Sequence, residues 1–280
     1  MPIYDAIGQS YSKSRLPDPR IADFLLNLLA LDKCCIVADI GAGTGGYSRA
    51  IANQGFVVYA VEPSQVMRRQ AIPHPQVQWL TGYAEAIPLP NHSVDAAFCI
   101  LAMHHFSDLK SALQEINRVT KKIGAIAFLT FDPKFRNKFW LDDYFPFIKE
   151  YDSRLFPPLD DVVALIQSTT KRTVEVSTLM LPPDLSDMFL CAGWRRPEIY
   201  LKPEVRAGMS GFALADSQLV EKGVKLLQND LISGEWEANY GEIRQLKEIA
   251  ESGRVFRDGV SPSPVQLFKT DVGYRFLILN

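Results

Sequence analysis

The chain predicts an α/β fold: a doubly wound, mostly parallel, seven-stranded Rossmann-like sheet with a helical cap inserted after strand five. Three observations carry this reading. Short β-branched apolar runs alternate with amphipathic helical stretches over the first ~130 residues, the pattern of βαβ units with right-handed crossovers. A glycine-rich turn, "DIGAGTGG" at residues 39–46, directly follows the first such run. After Pro133 aromatic and proline-rich segments replace the alternation, and an apolar "GYRFLILN" ends the sequence.

Each element has its own local reason. In "DPRIADFLLNLLAL" Ile21, Phe24, Leu25, Leu28 and Leu29 recur at helical spacing, so a helix precedes the sheet. "CCIVADI" reads as a strand buried on both faces, and "GYSRAIANQG" as a helix stopped by Gly55. "FVVYAVE" is the second strand, and "PSQVMRRQAI" a helix with Pro63 and Ser64 at its start. "VQWLTGYA" and "SVDAAFCILAMHHF" hold the third and fourth strands. "DLKSALQEINRVTK" is amphipathic, with Leu109, Leu113, Ile116 and Val119 on one face, and "GAIAFLTFD" supplies the fifth strand. Beyond it, "LDDVVALIQ" is a short helix, "RTVEVSTLML" alternates like a strand, and Asp184 to Glu251 is mostly helical. The terminal apolar run fits a strand antiparallel to the fifth. The expected organisation is one composite domain: a Rossmann-like core over residues 1–132, a helical cap segment over 133–170, and late strands with a further cap insertion over 171–280.

Composition narrows the function classes. The 280 residues are 47% hydrophobic and 22% charged, with a net charge of −2, which gives no basic footprint for nucleic acid and no charge block for a membrane surface. The N-terminal residues lack the apolar core of a signal peptide, and no apolar run approaches the ~18 residues of a spanning helix. Cys34, Cys35, Cys99 and Cys191 have neither metal-ligand spacing nor the density of a disulfide scaffold, so reduced thiols and a cytoplasmic location are expected. No zinc or iron ligand set is evident, and no internal repeat.

Gly41, Gly43 and Gly46 satisfy G-x-G-x-x-G, a weak signal that nicotinamide-dependent oxidoreductases share. Asp39 stands immediately before the turn and would oppose a pyrophosphate there, at a cost of ~1 kcal/mol or more. It suits a ligand that is cationic at that point. Glu62, at the end of the second strand, is placed to accept both hydroxyls of a ribose. Glu85 follows the third strand, where it can face an adenine amino group.

Together, "VADIGAGTGGYSRAIA", "VYAVEPSQVM", "GYAEAIPLPNHSVDAAFCILAMHHF" and "ALQEINRVTKKIGAIAFLTFD" resemble the class I S-adenosylmethionine-dependent methyltransferases, most closely the small-molecule group that includes quinone-biosynthesis enzymes. The resemblance covers residues 4 to 132. It implies that S-adenosyl-L-methionine is the methyl donor and S-adenosyl-L-homocysteine the product. It further implies that Asp39, Gly41, Ala42 and Gly43 lie along the methionine part, and that Glu62 holds the ribose. Met67 would sit near the adenine, Ala84 and Glu85 at its edge, and Leu101 beneath the nucleoside. "YDAIGQSYSKSRLPDP" resembles the family's N-terminal segment, in which Tyr11 and Arg15 close over the methionine carboxylate. The family's usual "LKPGG" before strand five is "TKKIGA" here.

Methyl transfer from a sulfonium is an in-line displacement whose leaving group needs no acid, so alignment alone supplies ~7–11 kcal/mol. A base adds ~10²–10⁴-fold where a proton must leave. His104, just after the fourth strand, is the candidate catalytic residue, although the "HHF" pattern also suits a structural role. The aromatic cluster of Phe135, Phe139, Trp140, Tyr144, Phe145 and Phe147 either packs the cap onto the sheet or lines an acceptor pocket. Arg195, Arg196 and Arg206 are solvated charge or a hold on an acidic acceptor. The reading is a methyltransferase for a small-molecule acceptor, acting as monomer or homodimer. A nicotinamide-dependent oxidoreductase and a non-catalytic cofactor-binding protein on the same fold are the rivals.

Overall fold

β-branched and small apolar residues fill the strands that the alternation predicts. In the computed structural model, which describes residues 4–133, 139–248 and 274–280, seven strands form one sheet in the order β3-β2-β1-β4-β5-β7-β6. β1 (Ile36–Ile40), β2 (Val57–Val61), β3 (Val77–Leu80), β4 (Ala96–Ile100) and β5 (Ile126–Phe131) run parallel. β7 (Tyr274–Leu279) lies antiparallel between β5 and β6 (Val174–Thr178), with Ile126 opposite Leu279 and Phe131 opposite Tyr274. All six residues of β5 and of β7 are buried, Thr130 and Arg275 among them, which explains their otherwise apolar sequence. The predicted antiparallel seat of the terminal strand is therefore observed.

Helices cover both faces of the sheet. Pro19–Leu29 and Gly46–Ala52 bury Ile21, Leu25 and Ile51 on one side. Leu109–Val119 and Leu159–Thr170 bury Leu113, Ile116, Val162 and Ile166 on the other. Carboxylate caps start two of these helices. Asp18 accepts from the Arg20 amide ahead of Pro19–Leu29, and Asp108 from the Ser111 amide ahead of Leu109–Val119. Strand order reverses between β1 and β4, and in such sheets the reversal opens a crevice beyond the carboxyl ends of the strands.

Two predicted helices are shorter than the sequence suggests. "PSQVMRRQAI" is helical only over Gln65–Arg68, capped by the Ser64 hydroxyl on the Met67 amide. Pro73 and Pro75 follow closely and force extended backbone before β3. Residues 184–196 are turns, and helix resumes only at Pro197. Here side chains satisfy the backbone instead: Arg196 Nη2 donates to the Leu185 and Ala192 carbonyls, and Trp140 Nε1 to that of Trp194. The end of the predicted helical stretch, from residue 249 to Glu251, lies outside the described residues, as does Phe135.

The rest of the aromatic cluster is packing. Phe139, Trp140, Tyr144 and Phe145 are buried, and Trp140 makes edge contacts with Trp236 and Tyr200 at 5.4 and 5.5 Å between ring centroids. Arg195 and Arg206 donate to the Leu246 and Tyr200 carbonyls, so neither is simple surface charge. Among the described residues no helix is long and apolar enough to cross a membrane, and no group of His, Cys, Asp and Glu is arranged to hold a metal ion.

The "TKKIGA" turn keeps the one residue its geometry demands. A Cβ on Gly124 would lie 2.1 Å from the Asp95 carbonyl oxygen, which belongs to the strand-entry backbone and cannot swing aside. Gly124→Ala should therefore destabilise the fold by about 1–3 kcal/mol through forced displacement of β4 from β5. Urea unfolding reads this directly, and an unchanged midpoint would show that the two strands part without cost.

Candidate active site

The site grows from the turn between β1 and Gly46–Ala52. Its first requirement is backbone that no side chain crowds. Gly41 sits at φ +74°, and a Cβ there would meet the Ala102 Cβ at 2.6 Å, so the chain passes close beneath the end of β4 only because this residue is glycine. The Gly41 and Ala42 amides donate to the Val61 carbonyl, which pins the turn to β2. The Gly43 amide donates to Glu62 Oε2 at 2.9 Å, and the Ser64 amide to Oε1 at 2.8 Å. Glu62 is thus a bracket between the glycine turn and the end of β2.

A crevice of about 430 Å³, open to solvent, runs along this turn. Tyr11, Arg15, Asp39, Gly41, Ala42 and Gly43 line it, with Tyr47 and Asp187 on the far side. Asp39 is 2% exposed and accepts from the Ser48 hydroxyl at 2.6 Å. Burial, reinforced by the nearby Glu62 charge and opposed by Ser48, pushes its carboxyl up to about 7. Burial likewise raises Glu62, against the lowering effect of the two amides it accepts from. Two carboxylates beside the turn make a poor seat for pyrophosphate and a good one for a ligand carrying an ammonium and hydroxyls.

The other predicted residues are distributed around this crevice. Met67 is buried and packs on the turn: a Cβ on Gly43 would lie 3.3 Å from its Cε. Ala84 is buried one strand further along. Glu85 does not line the crevice; its Oε1 accepts from the Ser107 amide and hydroxyl and from the Asp108 amide, tying the turn after β3 to the loop after β4. Leu101 takes φ +51°, a left-handed conformation costly for a branched side chain, directly at the end of β4. Strain of this kind concentrates where a backbone must deliver a side chain to a ligand.

Arg15 has a partner that the sequence did not disclose. Its Nε donates to Asp187 Oδ1 at 2.5 Å, its Nη2 reaches Oδ2 at 3.5 Å, and Tyr47 donates to the same carboxylate at 3.1 Å. Asp187 lies 172 positions away, in an antiparallel bridge to Arg15 within the stretch where helix was expected. No spacing signal links such distant residues.

Arg15 also borders a second pocket, of about 520 Å³ counting its mouth, beyond the ends of β4 and β5. Leu101 and His104 form its floor; Tyr4, Phe131, Phe156 and Tyr274 contribute rings. His104 stacks on Phe156 with centroids 4.3 Å apart, and its Nδ1 is shielded and has no hydrogen-bond partner among the described residues. Burial, with help from His105 and Arg15, holds its imidazole well below the usual histidine range, so it is neutral at pH 7. His105 donates or accepts at Tyr4 Oη and is lowered to about 4, again chiefly by burial.

Comparison with known proteins shows which family the chain resembles. A methyltransferase-domain family model matches residues 38–128. A malonyl-[acyl-carrier protein] O-methyltransferase of Pseudescherichia vulneris is 35% identical over 124 residues, covering 44% of this chain and 49% of that protein. An uncharacterised methyltransferase of Mycobacterium bovis is 31% identical over 176 residues, 61% of this chain and 68% of that one. The crystal structure of a protein described as a methyltransferase from an antibiotic biosynthesis pathway of Anabaena variabilis is 52% identical, with a TM-score of 0.85 over 95% of this chain and 99% of that one. The chain belongs to the S-adenosylmethionine-dependent methyltransferase family. It spans about half the length of the first curated relatives it matches. Membership in this methyltransferase family sets aside the oxidoreductase reading of the glycine pattern, as Asp39 already implied.

The buried Asp39 of this methyltransferase has a measurable consequence. Its folded value near 7 stands above the ordinary carboxylate range, so the folded state holds the extra proton between about pH 4 and 7. Stability that is fully present below that window is lost as pH rises through it. The gap between wild type and Asp39→Asn in urea unfolding should shift against wild type by up to about 1.4 kcal/mol per pH unit across the window. A pH-independent gap would mean that Asp39 ionises normally in the fold.

Proposed function

We propose that the chain transfers a methyl group from S-adenosyl-L-methionine to a small-molecule acceptor, leaving S-adenosyl-L-homocysteine. One observation carries the reading: two adjoining pockets share Arg15 at the strand-order reversal, one walled by carboxylates and glycine backbone, the other by rings and a neutral histidine. When bound, the donor supplies an electrophilic methyl group on a sulfonium. Everything else falls to the chain's residues. Asp39 takes the ammonium of the amino-acid part, and its proton leaves as that cation arrives. Gly41, Ala42 and Gly43 give the close approach. Glu62 has lone pairs left after its two amides, and these accept the ribose hydroxyls. Met67 and Ala84 border the adenine and Leu101 packs beneath the nucleoside, while Glu85 braces the loop after β4 through Ser107 and Asp108. Tyr11 and Arg15 close the carboxylate end; the Arg15 hydrogens not engaged by Asp187 serve that contact.

His104 is the base for an acceptor that must lose a proton. Its ring is neutral and its Nδ1 has no hydrogen-bond partner among the described residues, and burial keeps water from competing for it. Cofactor affinity and turnover then separate cleanly. Titration calorimetry should show S-adenosylhomocysteine binding, weakened by about 1.5–3 kcal/mol in Glu62→Ala through loss of charge-assisted hydrogen bonds. No heat with wild type would sink the proposal.

His104→Ala should lower turnover at least tenfold while S-adenosylhomocysteine affinity holds. Unchanged kinetics would remove His104 from the chemistry. Cofactor binding without transfer to any acceptor, in a tritiated-methyl assay over a metabolite panel, would instead favour a sensor or scaffold on this fold.

A further inference from the structure

The walls of the second pocket come almost entirely from outside the stretch that the family model matches. Leu101 and His104 fall within residues 38–128; Phe131, Phe156, Phe189 and Tyr274 do not. The acceptors of relatives that align mainly with the first half therefore carry no information about this pocket, and its own chemistry must be read directly.

That chemistry is aromatic and nearly uncharged. Phe156 lies 5.2 Å from Phe131, Phe131 5.5 Å from Tyr274, and Tyr274 4.6 Å from Phe189, a continuous arc of rings that begins at His104. Such an arc favours a flat ring by offset and edge contacts. The one permanent cation in the described lining is Arg15, already paired with Asp187, and Asp152 adds a buried carboxylate. A dicarboxylate or phosphate finds no uncommitted cation here.

Taking the methyl-transfer reading above as its basis, we propose that this pocket holds a compact planar phenol and that the phenolic oxygen is methylated. A neutral imidazole can relieve a phenol of its proton, since phenols ionise near pH 10, whereas an aliphatic alcohol is far too weak an acid. In the step, the hydroxyl proton passes to His104 and the oxygen lone pair forms the O–CH3 bond. The S–CH3 bond breaks with its electron pair going to sulfur, and the imidazolium then releases its proton to solvent.

The test is binding to the full chain saturated with S-adenosylhomocysteine, with 4-nitrophenol and 2-naphthol as probes against cyclohexanol and malonate. The phenols should bind at least tenfold more tightly than either comparator, and Phe156→Ala, checked for folding by circular dichroism, should weaken them at least tenfold. Malonate or cyclohexanol binding as well as the phenols would overturn the proposal, and so would a folded Phe156→Ala that binds them undiminished. If that variant does not fold, the wild-type comparison decides alone. Should S-adenosylhomocysteine bind while the phenols do not, only the acceptor class falls; should it fail to bind, the methyl-transfer reading falls too, and this proposal with it.

Discussion

A buried ion pair joins the parts of this molecule that the sheet alone does not hold together. Arg15 belongs to the N-terminal segment, Asp187 to the turns after β6, and Tyr47, which donates to the same carboxylate, to the helix after the glycine turn. The side chains of Arg15 and Asp187 are only 11% and 3% exposed. Removing one partner of such a pair typically costs about 3–5 kcal/mol, because a charge is left buried and alone. Both pockets depend on this contact, since Arg15 borders each and Asp187 borders the crevice along the glycine turn. Neighbouring contacts act in the same direction: Ser14 accepts from the Met188 amide, and Ser64 donates to Asp5.

The glycine turn shows how few residues need a particular identity once this frame exists. Glu62 serves as a structural bracket through two amides and still presents carboxylate oxygens toward the turn. Asp39 is held by Ser48 and buried deeply enough that its charge is expensive until a cation arrives. A crevice that penalises its own empty, ionised form gains the most from a positively charged ligand. The same burial that neutralises His104 keeps the adjoining pocket free of uncommitted charge.

Much of the fold was legible because it rests on local signals. Short apolar or alternating runs located the strands β1 to β7, helical spacing located the helices at Pro19–Leu29 and Leu109–Val119, and the apolar character of β7 implied a seat inside the sheet. The residues around the turn were legible for the same reason: glycine freedom and an acid at each strand end are short-range patterns. Residues 184–196 misled because their helix-compatible composition is overridden by tertiary hydrogen bonds from Arg196 and Trp140. Asp187 and the ring arc were invisible because their partners are brought together only by topology. Phe131 and Tyr274 meet through antiparallel register, 143 residues apart, and no window of sequence contains both.

This difference in legibility follows a division of labour in the chain. The glycine turn and its Asp39 and Glu62 contacts come from consecutive β-turn-helix units within residues 38–128, whereas Arg15 and Asp187 close the crevice from outside that stretch. The second pocket is closed by side chains from β5, from the end of Pro146–Leu155, from the turns at Phe189 and from β7. Changing any of those rings alters the acceptor space and leaves the Asp39, Gly43 and Glu62 contacts intact, because none of these rings bonds to them. The glycine turn can therefore keep its contacts while the second pocket changes. The 52% identity over 95% of the chain to the Anabaena variabilis protein is different in kind, since it spans both pockets and not the crevice alone. Whether two such chains share an acceptor turns on the rings from His104 round to Phe189, and the identity of those five positions carries more weight than the identity of the whole.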